Sequence, residues 1–305
     1  MSQEPRAIYL KLHLLVALLA TTAILGRLIS LSATGLVAWR TFLAALGAGF
    51  LVAVVLRREL WLPWKQCAAL LGIGVIVGLH WMCFFGAVKI ANISICLAGM
   101  ATISFFTAFT EPLMERRRVR PLEVWLGLLV VLGIMLVAGF ERGRLLGLGI
   151  ALLGALLAAV FPVLNRHMVR QQRLDPLAMV AWEMTGACGI CLACLRWTDG
   201  AGGYAALFHL RGWDGLWLLA LGWVCTVFAH GYHIKLLRHL SAYTGNLAMN
   251  CEPIYGILAA SLVFGEHREL HPGFYVGTAT ILLANILHPV ILGHLARRKI
   301  ARHKT

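Results

Sequence analysis

Charge is scarce in this sequence. Of its 305 residues only 13% are Asp, Glu, Lys or Arg, and only 13 are acidic. A typical soluble domain carries about 25% charged residues, so an ordinary soluble fold is excluded. No polar stretch is long enough to form a separate soluble domain. Catalytic signatures are absent as well. The chain has no HExxH metal helix, no GxSxG elbow and no phosphate-binding P-loop, so ATP-driven pumping by this chain alone is disfavoured. Its eight cysteines do not form a disulfide framework, because most fall inside apolar runs. Cys188, Cys191 and Cys194 recur at spacing three. They read as small apolar packing residues, since a metal site needs a closed ligand set. No cofactor is expected.

What is abundant is apolar surface: 60% of the residues are hydrophobic, and the mean hydropathy is +0.81. A membrane-crossing helix needs roughly 20 mostly apolar residues. Ten such runs are predicted, at about 12–30, 34–56, 66–88, 92–114, 122–140, 146–165, 177–196, 213–236, 242–264 and 272–294. The first follows Arg6 and Lys11 like a signal peptide, but no small-residue cleavage site follows it, so it is read as a span. The net charge of +14 does not point to nucleic acid. Most Lys and Arg residues sit in the short loops of one side, at 57–65, 116–120, 166–173 and 235–238, and at both ends of the chain. By the positive-inside rule both termini are cytoplasmic.

The two halves repeat. Val37-Ala38-Trp39-Arg40 matches Val180-Ala181-Trp182-Glu183 at an offset of 143, and His80 matches His230 at an offset of 150. Five spans per half is an odd number, so the second copy enters the membrane inverted. The expected fold is an all-α membrane protein of ten transmembrane helices, arranged as two inverted five-helix repeats. The repeats cover 1–141 and 142–305, the second with a basic cytoplasmic tail. In inverted repeats the substrate site lies at the repeat interface near the midplane.

Three stretches carry a resemblance. The first is Leu25 to Ala45, with GRLISLS and then WR. The second is Gly78 to Pro112, with GLHW, KIANIS and a span ending in Glu111-Pro112. The third is Tyr243 to Gly277, with YTGNLAMNCEPIYGILAASLVFGEH closing on PGFYVG. With these the chain resembles the drug/metabolite transporter superfamily in its EamA-type branch. That resemblance implies transport of small metabolites, commonly amino acids or amines, across a bacterial-type inner membrane. It fixes a transport class and no ligand. The halves are not chemically symmetric: the first has Met114-Glu115-Arg116-Arg117 where the second has Phe264-Gly265-Glu266-His267.

Ionisable groups inside spans are costly, so they default to functional candidates. Glu252, just ahead of the helix-kinking Pro253, shares a helical face with Gly245, Ala248, Met249, Tyr255, Gly256 and Ala259. It is the first candidate for binding substrate or a coupling proton; a protonated Glu bonded inside the bundle is the alternative. Arg40 and Glu183 occupy equivalent repeat positions. Arg40 suits an anionic substrate group and Glu183 a cationic one, as an amino acid would present; a structural ion pair is the alternative. His80 and His230 are relay or packing residues. Trp39, Trp81, Trp182 and Trp223 lie deep enough to wall a pocket, whereas Trp61, Trp64, Trp197, Trp213 and Trp217 belong to the interfacial belt. Arg27 is expected to snorkel, and Glu111 to snorkel or pair with Arg117 or Arg118. Asn246 and Asn250 are expected to hydrogen-bond between helices. The reading is a secondary transporter, an exporter of small amphiphilic solutes working by alternating access, with a proton as candidate coupling ion. The expected partners are a small-molecule substrate and the lipid bilayer, as monomer or homodimer. An intramembrane lipid- or metabolite-modifying enzyme is the alternative.

Overall fold

The computed structural model describes residues 3–116, 118–119, 121–238 and 251–302. Among these the chain is helical throughout, without a strand. The elements are α1 (Gln3–Leu28), α2 (Ala33–Phe50), α3 (Trp64–Ile90), α4 (Ile93–Met100), α5 (Ile103–Met114), α6 (Pro121–Phe140), α7 (Leu145–Arg170), α8 (Pro176–Thr198), the short α9 (Gly203–Ala206), α10 (Asp214–Leu219), α11 (Ala229–Leu236), α12 (Glu252–Phe264) and α13 (Pro272–Arg302). Six helical stretches among the described residues are long and apolar enough to cross a membrane: Ala33–Val55, Trp64–Ile90, Ile93–Met114, Arg142–Arg170, Pro176–Thr198 and Asp214–Leu236. The other four expected spans contain shorter apolar helices, Leu14–Leu28, Val124–Phe140, Glu252–Phe264 and Pro272–Ala284. Residues 239–250, with Gly245, Asn246, Ala248, Met249 and Asn250, lie outside the described residues.

Two spans depart from a plain α-helix. Leu51–Val55 and Ala220–Phe228 are wound as π-helix, a wider turn often found at functional sites. The span 93–114 breaks at Ala101-Thr102 between α4 and α5. There the Thr102 hydroxyl donates to the Gly99 carbonyl at 2.7 Å. Capping follows the sequence. Ser32 caps α2, Asn92 caps α4, and Asp175 caps α8 with Pro176 behind it; oxygen-bearing side chains there satisfy orphan backbone N–H groups.

The centre of the bundle is α3 against α8, with α2 and α7 on either side. Glycine brings these backbones together. A methyl group on Gly74 would sit 2.0 Å from the Glu183 carbonyl oxygen, and one on Gly186 would sit 2.2 Å from that of Leu71. Gly78, four residues on from Gly74 in a GxxxG spacing, meets Ala187. Small residues allow this approach, and it fixes the rotation of α8 that aims Glu183. Gly186→Ala is therefore expected to force the two helices apart at a cost of about 1–3 kcal/mol. Its thermal unfolding midpoint in detergent should fall, while that of Gly189→Ala, where the new methyl meets nothing within 4 Å, should hold or rise.

Two tryptophans bind loop carbonyls across α2 and α8. Trp39 on α2 donates to the Leu207 carbonyl in the loop after α8, at 2.8 Å. Trp182 on α8 donates to the Leu60 carbonyl in the loop after α2, at 2.9 Å. A methyl on Gly222 would lie 3.3 Å from the Arg40 carbonyl, answering the Gly74–Glu183 contact. Trp61, Trp64, Trp197 and Trp213 are exposed near helix ends, as interfacial residues should be.

Candidate functional site

A cavity of about 90 Å³ lies between the helices. Its wall includes Arg40 from α2, His80, Trp81 and Phe84 from α3, Met100 and Ile103 on either side of the α4–α5 break, Phe161 from α7, His230 and His233 from α11, and Glu252 at the start of α12. It has room for several waters and is narrow for an organic solute.

Arg40 is almost fully buried. Its Nε donates to Thr226 Oγ1 at 2.8 Å, and Nη2 reaches the Cys225 carbonyl at 3.4 Å. Both acceptors belong to the π-wound segment, where the Thr226 hydroxyl in turn donates to the Leu221 carbonyl at 2.7 Å. The guanidinium carbon lies 3.7 Å from the centre of the Trp81 ring, a cation–π contact worth about 2 kcal/mol or more when desolvated. These partners orient the cation without neutralising it. No carboxylate among the described residues forms an ion pair with it. Glu252 faces the same cavity, in the first turn of its helix, where negative charge is favoured by the helix dipole.

The wall carries three histidines. His80 Nδ1 lies 2.9 Å from the Gly154 carbonyl. A carbonyl only accepts, so Nδ1 carries the hydrogen and Nε2 is left as acceptor. His230 Nε2 lies 3.0 Å from Glu183 Oε2, and its ring meets the edges of Trp81 and Phe161. His233 is buried with Nε2 unpartnered among the described residues.

Sequence reasoning thus brings Arg40, Glu252, His80 and His230 to one cavity. Four other candidates lie elsewhere. Glu183 is behind His230 and does not line the cavity; it pairs with that histidine and not with Arg40. Trp39 and Trp182 bind loop carbonyls at the helix ends, and Tyr255 is exposed. Of the tryptophans expected to wall a pocket, Trp81 lines this cavity, together with Phe84 and Phe161. His233, Asn165 and Thr226 were not anticipated. For His233 the signal was a second histidine three residues after the first, on the same helical face.

At one end of the bundle a polar cluster joins α1, α4 and α12. Glu266 is completely buried. It accepts from the backbone N–H groups of Ile93 and Ser94 at 3.1 and 2.9 Å, from the Ser94 hydroxyl at 2.6 Å, and from Arg27. Arg27 also lies 4.3 Å over Phe264, so the side chain expected to snorkel is paired with Glu266 while staying about one third exposed. Asp214 accepts from the Ser30 backbone N–H and hydroxyl at the same end, and Lys89 Nζ donates to the Ile29 carbonyl at 2.9 Å. At the opposite end Glu111 meets Arg166 at 3.4 Å; Arg117, an expected partner, lies outside the described residues. A larger recess of about 760 Å³ opens there, lined by the ends of α5 and α7 with Arg166, His167 and Arg170.

No curated protein matches the sequence. A solved crystal structure 16% identical to this chain superposes with a TM-score of 0.64, covering 93% of this chain and 97% of the other; at that identity the likeness is one of fold. Residues 145–287 match the model of the EamA-like transporter family. The second half of the chain is thus similar to the EamA-like transporter family, part of the drug/metabolite transporter superfamily.

Proposed function

We propose that this protein is a multi-pass secondary transporter that exports small amphiphilic solutes, amino acids or close relatives, by alternating access across an inner membrane. The observation that carries the reading is Arg40: a buried, oriented cation facing a cavity, with no ion-pair partner among the described residues. Such a group calls for a carboxylate, which the guanidinium fork matches. Glu252 on the same wall offers a site for the solute's ammonium. The remaining wall is aromatic and aliphatic, as expected for an amphiphilic ligand.

Two inverted halves, 1–141 and 142–305, frame the site in this reading, with both termini cytoplasmic. The reciprocal Trp39–Leu207 and Trp182–Leu60 bonds support that pseudo-symmetry. The latch around Glu266 closes the end away from the basic loops, and the wide recess by Arg166 lies at the basic end. Alternating access would exchange these two openings and widen the narrow cavity. The enzymatic alternative has no support in the family match.

Glu252 can hold either a proton or the solute's cation, and that competition would couple the two flows. Glu252→Gln should therefore transport labelled amino acids in liposomes without responding to an imposed pH gradient. An unchanged pH dependence in this variant would remove Glu252 from the coupling step. Absence of saturable flux for every amino acid in the wild type would overturn the zwitterion reading.

A further inference from the structure

Glu183 is surrounded by partners that suit both of its protonation states. Its carboxyl is fully buried, and both of its hydrogen bonds fall on Oε2, from His230 Nε2 at 3.0 Å and from Asn165 Nδ2 at 3.3 Å. Glu183 Oε1 and Asn165 Oδ1 are buried without a hydrogen-bond partner among the described residues. A buried polar atom left unpaired is costly. The carboxylate thus carries acceptor capacity that no donor among the described residues fills, and a proton on the carboxyl reduces that demand.

The partners are matched to that event. An imidazole donates through N–H or accepts through its bare nitrogen, and an amide presents either its NH₂ or its oxygen after a flip. A Lys or Arg would only donate and would hold the carboxylate ionised; none pairs with Glu183 among the described residues. The titratable or charged groups that the surrounding helices bring to this region are Arg40 on α2, His80 on α3, His230 and His233 on α11, and Glu252 across the cavity. Arg40 is held by Trp81, Thr226 and the Cys225 carbonyl.

We infer that Glu183 and His230 form a proton-exchange pair behind the cavity wall, with His230 as its door, an inference that rests on the transport reading above. On uptake His230 takes a proton at Nδ1 from the cavity and passes its Nε2 hydrogen to Glu183 Oε2. The pair gains one positive charge and its net charge goes from −1 to zero. Release is the reverse. The new Oε2 hydrogen is donated back to the bare His230 Nε2, and Asn165 Nδ2 stays as donor to Oε2. His233, one turn beyond His230 on the same wall and with Nε2 unpartnered, is the next station for the proton.

The test needs no substrate. Purified protein in detergent is titrated with pH and followed by infrared difference spectroscopy at the carboxylic-acid C=O stretch. Wild type is compared with Glu183→Gln, Glu252→Gln and His230→Gln. The expected result is a carboxylic-acid band that disappears as pH rises, is lost in Glu183→Gln, is kept in Glu252→Gln, and has a shifted midpoint in His230→Gln. If Glu183→Gln keeps every titrating band of the wild type, the inference is overturned. If Glu183→Gln does not fold, the His230→Gln midpoint decides: a shift supports the pair and an unmoved midpoint overturns it. A wild type without amino-acid flux overturns the zwitterion reading and leaves the band to decide the pair.

Discussion

Glu266→Ala is expected to lower the stability of the folded protein by about 3 kcal/mol, near the lower end of what removing one partner of a buried ion pair costs. The reason is local. Glu266 accepts four hydrogen bonds on two oxygens, from Arg27, Ser94 Oγ and the backbone N–H groups of Ile93 and Ser94. Those two N–H groups open α4, where no earlier turn can satisfy them. Alanine leaves them buried and unpaired, while Arg27, about one third exposed, can partly recover by turning to water. For a chain of this size the thermal midpoint in detergent should fall by roughly 5 °C. Glu266→Gln keeps one acceptor oxygen but sets an NH₂ group against donors, so its loss should be intermediate. Ser94→Ala removes a single hydroxyl bond and should cost least. Equal midpoints for Glu266→Ala and Ser94→Ala would show that the carboxylate does not hold the three helices together.

Arg40→Ala is expected to abolish saturable flux of labelled amino acids in liposomes while the protein still folds. Truncating one member of a desolvated charge contact typically costs about 2–5 kcal/mol, or about 30-fold to several thousand-fold in affinity. The fold should survive because the partners left behind are neutral. Thr226 Oγ1 keeps its bond to the Leu221 carbonyl, and Trp81 keeps its packing against His230. Arg40→Lys preserves the charge but loses the Nε hydrogen bond and the planar stack on Trp81, so it should transport weakly. Thr226→Val should weaken binding by freeing the guanidinium to rotate. Wild-type flux in Arg40→Ala, with unchanged saturation, would place the solute elsewhere.

Much of the site was legible because the membrane makes charge expensive. Arg40, Glu183 and Glu252 stand out in apolar runs, and the matching of residues 37–40 with 180–183 marked two of them as equivalent. Helix rotation was not legible. Tyr255 was grouped with Glu252 by helical spacing, yet it is exposed, and of the tryptophans expected to wall a pocket Trp81 lies under Arg40 while Trp39 and Trp182 bind loop carbonyls. Spacing within one helix says which residues share a face and not which neighbour that face meets. Glu266 was visible only as part of a pattern, since its partner Ser94 is 172 residues away.

Composition, apolar run length and loop charge were sufficient for a helical membrane protein, because burying backbone polar groups in lipid leaves few alternatives to helices. The motifs pointed to the same family that the model match over residues 145–287 gives. Only the tertiary structure decided that Glu183 bonds His230 and not Arg40, and that Arg40 faces the cavity with Glu252 on the same wall and no ion-pair partner among the described residues. Those outcomes depend on how closely Gly74 and Gly186 let α3 and α8 approach, and on a π-wound turn that offers Thr226 and the Cys225 carbonyl to the guanidinium. Contacts of that kind are set by packing between distant segments, which local pattern does not encode.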